Sequence, residues 1–424
     1  MNIFYFSYFS PPLLNVGANR SRRFSEALTS LGHRVVVFRE ARHHRFVDVD
    51  VDVDVDNTGC LADIIPVSSW NIDWCWKWPT IIHKQCYRLR HRRSPERDGD
   101  IAKCYWLIDM HWGWIFPSLY DAWKRSKSIK PDVIVVSCPP FSSALTGMLL
   151  SKWLNVPLVL DFRDAWSQAS YFVDESTVKC EQKMMSQASA LMVTSSADYH
   201  NYQSLYPLHC IRYIPNSYDR VLDHVSDNHK VLTLGYSGTW DGFRRSAEGL
   251  FRQLSQCDFP IRFINIGDAQ HELRQLIEQY QLVDVVELID SQPKEKLHDI
   301  LSQCDVLFIQ KGRPDKGKAD THLATKAIDY VASGKPILAE LPDGETLDFL
   351  RRHATQLYEV STDNPIIYLQ QLSQLHQLFE NNQLTINKPS SDFYYQYGRE
   401  KLASDFIQVL TDVTTSRFAE RVKT

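Results

Sequence analysis

Three short stretches combine charge, glycine and strand-like neighbours in ways that could do chemistry. In "PLVLDFRDAW", Asp161, Arg163 and Asp164 follow an apolar run, where an α/β sheet presents side chains to a ligand. One of these carboxylates could serve as an acid or base, or as an anchor for a sugar hydroxyl. Alternatively, Arg163 forms an ion pair that closes the strand end. In "GYSGTWDGFRRS", Gly235, Gly238 and Gly242 lead from a strand towards Arg244 and Arg245. Glycines admit a phosphate to backbone N–H groups, and arginine can bind it through two parallel hydrogen bonds. The spacing matches neither a dinucleotide fingerprint nor a P-loop, so a capping loop with a solvated arginine pair explains it equally well.

The third stretch, "QKGRPDKGKADTHLATKAIDYVASGKPI", places Lys311, Arg313, Lys316 and Lys318 ahead of a helix expected to begin between Thr321 and Lys326. A cationic loop feeding a helix N-terminus attracts anions through its charge and through unpaired N–H groups, with Thr325 and Lys326 in the first turns. Asp329 then becomes a ligand carboxylate. The competing reading is an i,i+3 surface pair with Lys326, worth roughly 0.2–0.5 kcal/mol. The Val–Asp repeat from Val47 to Asp56 contains aspartates two apart, which can hold a divalent metal against a diphosphate. Its repetition and distance from any strand end favour a solvated acidic loop, and no metal site is expected.

These groups need a scaffold. At 424 residues the chain exceeds a typical single core, so two domains are expected, and 44% hydrophobic with 23% charged residues is the balance of a globular protein. Short β-branched runs alternate with helices in both halves, which predicts parallel sheets covered on both faces. The segment Phe24, Ala27, Leu28, Leu31 has helical spacing and ends at Gly32; Leu273, Leu276, Ile277, Tyr280 and Leu297, Ile300, Leu301, Cys304 repeat the pattern. The predicted organisation is α/β, two doubly wound Rossmann-like domains facing across a cleft. Residues 1–220 form the first, with an insertion at about 70–130; residues 231–390 form the second; residues 391–424 form a helix returning to the first.

No run approaches the eighteen apolar residues of a spanning helix, and "MNIFYFSYFSPPLL" lacks a basic leader and a small-residue cleavage site, so it reads as a buried strand. Nine scattered cysteines without CxxC pairs suggest reduced thiols in a cytosol. The net charge of −4 calls for no nucleic-acid partner. Eight of the 11 tryptophans lie between Trp70 and Trp123, around a cluster that includes Lys84, Arg88, Arg90, Arg92, Arg93 and Arg97. That stretch suits an anionic membrane surface, or else a basic face over an aromatic core.

With these residues identified, the chain resembles the GT-B glycosyltransferases, and among them the retaining family 4 enzymes of bacterial surface polysaccharide synthesis. The resemblance rests on the Gly17 loop with "RFSEALTSLGHRV", on "PLVLDFRDAW", "IPNSYD" and "GYSGTWDG", and most specifically on "TKAIDYVASGKPILA". It implies a nucleotide-diphosphate sugar donor, a glycan or lipid-linked glycan acceptor, no metal, and a cytoplasmic location at or near the membrane. A pair of glutamates eight apart in that family corresponds here to Thr321 and Asp329: the first carboxylate is absent, and the second is shorter by one C–C bond, about 1.5 Å. Asp329 would bind the ribose, Gly17, Gly238, Arg244, Arg245, Lys311, Thr325 and Lys326 would surround the donor, and Asp164 would orient acceptor or sugar beside Arg163 and Asp161. The resemblance leaves two rivals: a nucleotide-sugar epimerase of the same fold, and a catalytically silent scaffold that partners an active transferase.

Overall fold

The computed structural model describes residues 1–10, 16–41, 62–70, 109, 111–169, 175–219, 221, 231–238, 240, 246–267, 270–314 and 319–423. The Val–Asp repeat, most of the Trp-rich stretch, Gly242, Arg244, Arg245, Lys316 and Lys318 lie outside these residues. The chain divides into two compact units, Met1–Pro215 with Arg399–Thr424, and Asn216–Gly398.

In the first unit, β1 (Asn2–Ser7), β2 (Arg34–Glu40), β3 (Asp63–Val67), β4 (Val133–Cys138), β5 (Leu158–Phe162), β6 (Ala190–Val193) and β7 (Ile211–Tyr213) form a sheet in the order β3-β2-β1-β4-β5-β6-β7. Every pair is parallel. All of β4 and β5 is buried, because helices cover both faces and leave no side of the sheet to water. The strand order reverses between β1 and β4, which meet at Ser7 and Ser137. That reversal opens a crevice at the carboxyl ends of the two strands.

The helix Arg399–Lys423 completes this unit's core: Phe406 stacks on Phe24 at 4.4 Å, and Leu402, Val409 and Leu410 join Ile3, Tyr5 and Leu28 in one cluster. It starts later than the expected 391, since Ser391–Gln396 forms a separate helix in the second unit. The first boundary also moves, from the polar stretch after residue 220 to Pro215.

The second unit holds β8 (Leu232–Ser237), β9 (Ile261–Ile266), β10 (Val286–Ile289), β11 (Val306–Gln310), β12 (Ile337–Glu340) and β13 (Leu357–Glu359), in the order β10-β9-β8-β11-β12-β13. Its reversal lies between β8 and β11, paired through Val306–Leu234 and Leu307–Gly235. Helices Glu248–Leu254 and Pro365–Glu380 belong to the core on one face. Thr325–Ser333 belongs to the core on the other, with Ala327, Ile328, Val331 and Ala332 buried.

Candidate functional site

In the first unit the strand-end residues converge on Arg163. Its backbone N–H donates to Cys138 O at 2.8 Å, its carbonyl accepts from Thr194 Oγ1 at 2.7 Å, and its guanidinium donates to Pro139 O and lies 5.9 Å from the Phe9 ring. Opposite is Gly17, in the first turn of the helix Val16–Ser30. A Cβ there would stand 1.5 Å from Arg163 Nη1, so a larger residue requires the guanidinium to shift. Arg163 therefore ties the end of β5 to the end of β4, and the half-buried Asp164 is the next residue along.

Asp161 is placed differently from the sequence expectation of a reacting carboxylate. It is 0% exposed, and Arg20 donates to it from Nε at 3.1 and 3.2 Å and from Nη2 at 2.7 Å. Ser137 Oγ adds a bond at 3.3 Å, while Arg20 Nη1 reaches Pro215 O at 3.1 Å. Asp161 is thus a buried anchor beneath the strand ends. Burial, followed by the neighbouring Asp161 carboxylate, pushes the Tyr5 phenol well above its ordinary range. Arg20 was missed in the sequence, although it sits on the Phe24/Leu28 stripe, where a charge needs a buried partner. His111 was missed too; its ring lies 4.6 Å from Tyr8 at the end of β1.

In the second unit the helix that carries Lys326 and Asp329 begins at Thr325, inside the span from Thr321 to Lys326 expected from the sequence. Residues 320–324 stay non-helical because Asp320 bridges to Gly344 and Thr346 Oγ1 accepts the Ala324 N–H at 3.0 Å. Ala324 supplies no side-chain cap, so no side chain occupies the N–H groups of the first turn from that position. Lys326 reaches the carboxyl end of β8: its Nζ donates to Ser237 O at 2.6 Å and lies 4.2 Å from the centre of the Tyr236 ring. Gly238, at φ +143°, adjoins it, and a Cβ there would come within 2.6 Å of the ammonium. A side chain at this φ would also be strained.

Two further residues of the helix hold the segment that opens this unit. Thr325 Oγ1 accepts from Asn216 Nδ2 at 2.9 Å, and Asp329 Oδ1 accepts the Asp219 N–H at 2.8 Å. Lys311, expected to meet the donor, turns inward instead. Its ammonium contacts both Asp320 oxygens at 2.6 Å, His322 O at 2.7 Å and Thr346 Oγ1 at 3.2 Å. These acceptors use all three N–H bonds of an ammonium, so Lys311 fastens the loop leading to Thr325 and has no donor left for a ligand. Arg313 pairs with Asp363 at the surface.

The second unit thus gathers a cation, a glycine turn and a helix start at its strand-order reversal, a combination suited to a phosphate group.

No protein-family model matches the chain. An Escherichia coli K12 protein, WcaL, named for a glycosyltransferase role in colanic acid biosynthesis, is 31% identical over 86 residues, which is 20% of this chain and 21% of that protein. The chain is therefore matched over about a fifth of that relative's length. The likeness to solved structures spans the whole chain. Sucrose-phosphate synthase from Thermosynechococcus elongatus superposes with a TM-score of 0.65 at 14% identity, covering 100% of this chain and 98% of that one. Anabaena Alr3699/HepE, solved with UDP-glucose, gives 0.61 at 12% identity, covering 99% and 100%. With two parallel-sheet Rossmann-like units of matching extent, the chain has the GT-B glycosyltransferase fold.

Proposed function

We propose that this protein is a retaining, metal-independent glycosyltransferase of the family 4 type, which moves a sugar from a nucleotide diphosphate to a lipid-linked glycan in bacterial surface polysaccharide synthesis. The observation that carries this reading is the meeting of the Lys326 ammonium and Gly238 at the end of β8, beside the start of the helix Thr325–Ser333. Negative charge grows on the diphosphate as its bond to the sugar breaks. Fixed donors aimed at that charge stabilise the transition state more than the ground state.

In this mechanism the acceptor oxygen attacks the anomeric carbon on the face the diphosphate is leaving. The C–O bond to the glycan forms, the C–O bond to phosphate breaks, and the acceptor proton passes to a departing phosphate oxygen. Lys326 and the helix N–H groups hold the diphosphate, with Arg244 and Arg245 as further phosphate ligands. Asp329 accepts a ribose hydroxyl, and Asp164 orients the acceptor from the strand end that Arg163 fixes.

Membrane attachment is supported by the face built from helices Ile115–Ser126 and Ser143–Leu154. Phe116, Tyr120 and Trp153 are 55–60% exposed there, Trp123 stacks on Trp153 at 5.6 Å, and Lys127 lies 3.6 Å from the Trp123 ring. Exposed aromatics beside lysines suit the headgroup layer of an anionic bilayer. Among the described residues, no helix is long and apolar enough to cross a membrane.

The test incubates the purified protein with UDP-, GDP- and dTDP-sugars and membranes carrying lipid-linked glycan. Transfer of labelled sugar with unchanged anomeric configuration, in the presence of a chelator, supports the reading. Isomerised sugar nucleotide without acceptor would point to an epimerase. Intact function of Asp329→Ala in a polysaccharide-deficient cell would point to a silent scaffold.

A further inference from the structure

The turn that follows β5 is fixed at both ends. At its start, Arg163 is bonded through its N–H to Cys138 O and through its carbonyl to Thr194 Oγ1. At its far end, the Trp166 N–H donates to Tyr202 Oη at 3.1 Å and the Ser167 N–H to Glu181 Oε2 at 2.8 Å. Asp164 and Ala165 are the half-buried residues between these anchors, while Trp166 and Ser167 are buried. The Trp166 ring also stacks on Phe141 at 4.5 Å.

Glu181 is the centre of the far anchor. It lies on the helix Glu175–Met185, is 0% exposed, and is met by four donors, two on each carboxylate oxygen. Oε2 accepts from the Ser167 N–H and from the Tyr202 phenol at 2.8 Å. Oε1 accepts from Ser167 Oγ at 2.5 Å and from the Tyr206 phenol at 3.0 Å. Burial, followed by the Glu181 carboxylate, raises both phenols well above their ordinary range, so both remain donors. A buried carboxyl group is a costly way to fill space that apolar side chains could fill. Here donors meet both of its oxygens, and a fully bonded buried network holds its members rigid.

The two tyrosines differ in what lies beyond the carboxylate. Tyr202, on the helix Ser196–Leu205, donates to Glu181 and accepts the Trp166 N–H, so it passes the position of Glu181 on to the turn. Tyr206 donates to the same carboxylate and, among the described residues, makes no hydrogen bond to the turn. We infer that Tyr202 and Glu181 are positioning residues for Asp164, holding the far end of the turn so that the acceptor meets this carboxylate at a fixed place beside β5. The inference rests on the reading that Asp164 orients the acceptor.

A kinetic cycle tests it. Membranes carrying lipid-linked glycan are varied against a fixed sugar nucleotide, chosen from the UDP-, GDP- and dTDP-sugars, for the wild type, Tyr202→Phe, Tyr206→Phe, Asp164→Ala and the double variant Asp164→Ala/Tyr202→Phe. Tyr202→Phe is expected to lower kcat/KM for the acceptor about tenfold, the order expected for a misplaced orienting group, with donor KM unchanged. Tyr206→Phe loses the same kind of bond to Glu181 and should retain the wild-type kinetics. Tyr202→Phe should cost nothing further in the Asp164→Ala background, because it acts through a carboxylate already removed. A full second loss in the double variant, or equal losses in the two phenylalanine variants, would make Tyr202 a merely structural residue and overturn the inference. If Tyr202→Phe does not fold, Ser167→Ala, which removes a donor to Glu181 from the turn itself, takes its place in the same cycle. Wild-type transfer with unaltered kinetics in Tyr202→Phe overturns this inference alone, whereas no transfer by the wild type overturns the transferase reading and this inference with it.

Discussion

Arg163 and Gly17 fit together so closely that a single methyl group between them would stand 1.5 Å from a guanidinium nitrogen. The pair joins the first turn of the first helix to the end of β5, and Asp164 follows directly. Gly17→Ala should raise helix propensity by about 1 kcal/mol, yet it must push the guanidinium off Pro139. Transferase kcat/KM is expected to fall by about 10- to 100-fold, in line with the cost of misplacing a catalytic group by an ångström. Thermal unfolding should show no matching gain in stability. Full activity in a folded Gly17→Ala protein would remove Arg163 from the account.

The Arg20–Asp161 pair is 1% and 0% exposed, so its two charges depend on each other. Removing one partner leaves an uncompensated buried charge, which costs about 3–5 kcal/mol. Arg20→Met and Asp161→Leu should each lower the urea midpoint strongly, and the double variant should recover much of the loss. Additive losses in that cycle would mean the two residues act independently.

Glu340 gives a pH signature. Burial raises its pKa above the usual carboxylate range, so the folded protein binds this proton more readily than the unfolded chain. Its contribution to stability is full below the ordinary carboxylate pKa and is lost as pH rises through the raised folded value. Glu340→Gln keeps an acceptor for Tyr368 and removes the titration. In paired denaturation series, wild-type stability should therefore decline relative to Glu340→Gln across that window; parallel curves would argue against a perturbed Glu340.

Asp329 accepts a backbone N–H and is also the proposed ribose ligand. Asp329→Asn retains an acceptor for Asp219 but gives up the charge-assisted bond to a ribose hydroxyl. Nucleotide affinity should drop by roughly tenfold, the difference between charged and neutral hydrogen bonds, while the fold is kept. Calorimetric titration with the nucleotide measures it, and unchanged affinity would place the ribose elsewhere.

Much of the fold is legible because buried parallel strands read as apolar runs. "VIVVSC" and "LVLDF" stand out for this reason, and both are fully buried. The edge strands Asp63–Val67 and Leu357–Glu359 escape notice, since their partly exposed positions carry mixed residues. The helix start falls at Thr325, within the expected span, and the bridge from Asp320 to Gly344 helps keep the residues before it non-helical. Charge alone made Lys311 a donor ligand, whereas Asp320, nine residues on, consumes it. Nothing local reveals that Arg20 will meet Asp161 across 141 residues, or that Lys326 will meet Ser237 across 89. Such pairings follow from strand order, which a residue pattern does not encode.

Donor binding at the Lys326 corner is the central claim, and thermal unfolding with UDP-, GDP- and dTDP-sugars tests it most directly. At about 100 times its dissociation constant a true donor adds roughly 2.7 kcal/mol to stability. At least one of these donors should raise the wild-type unfolding temperature, and Lys326→Met, which removes the ammonium at the end of β8, should lose most of that rise. Stabilisation of both proteins to the same extent, or of neither, would contradict the account.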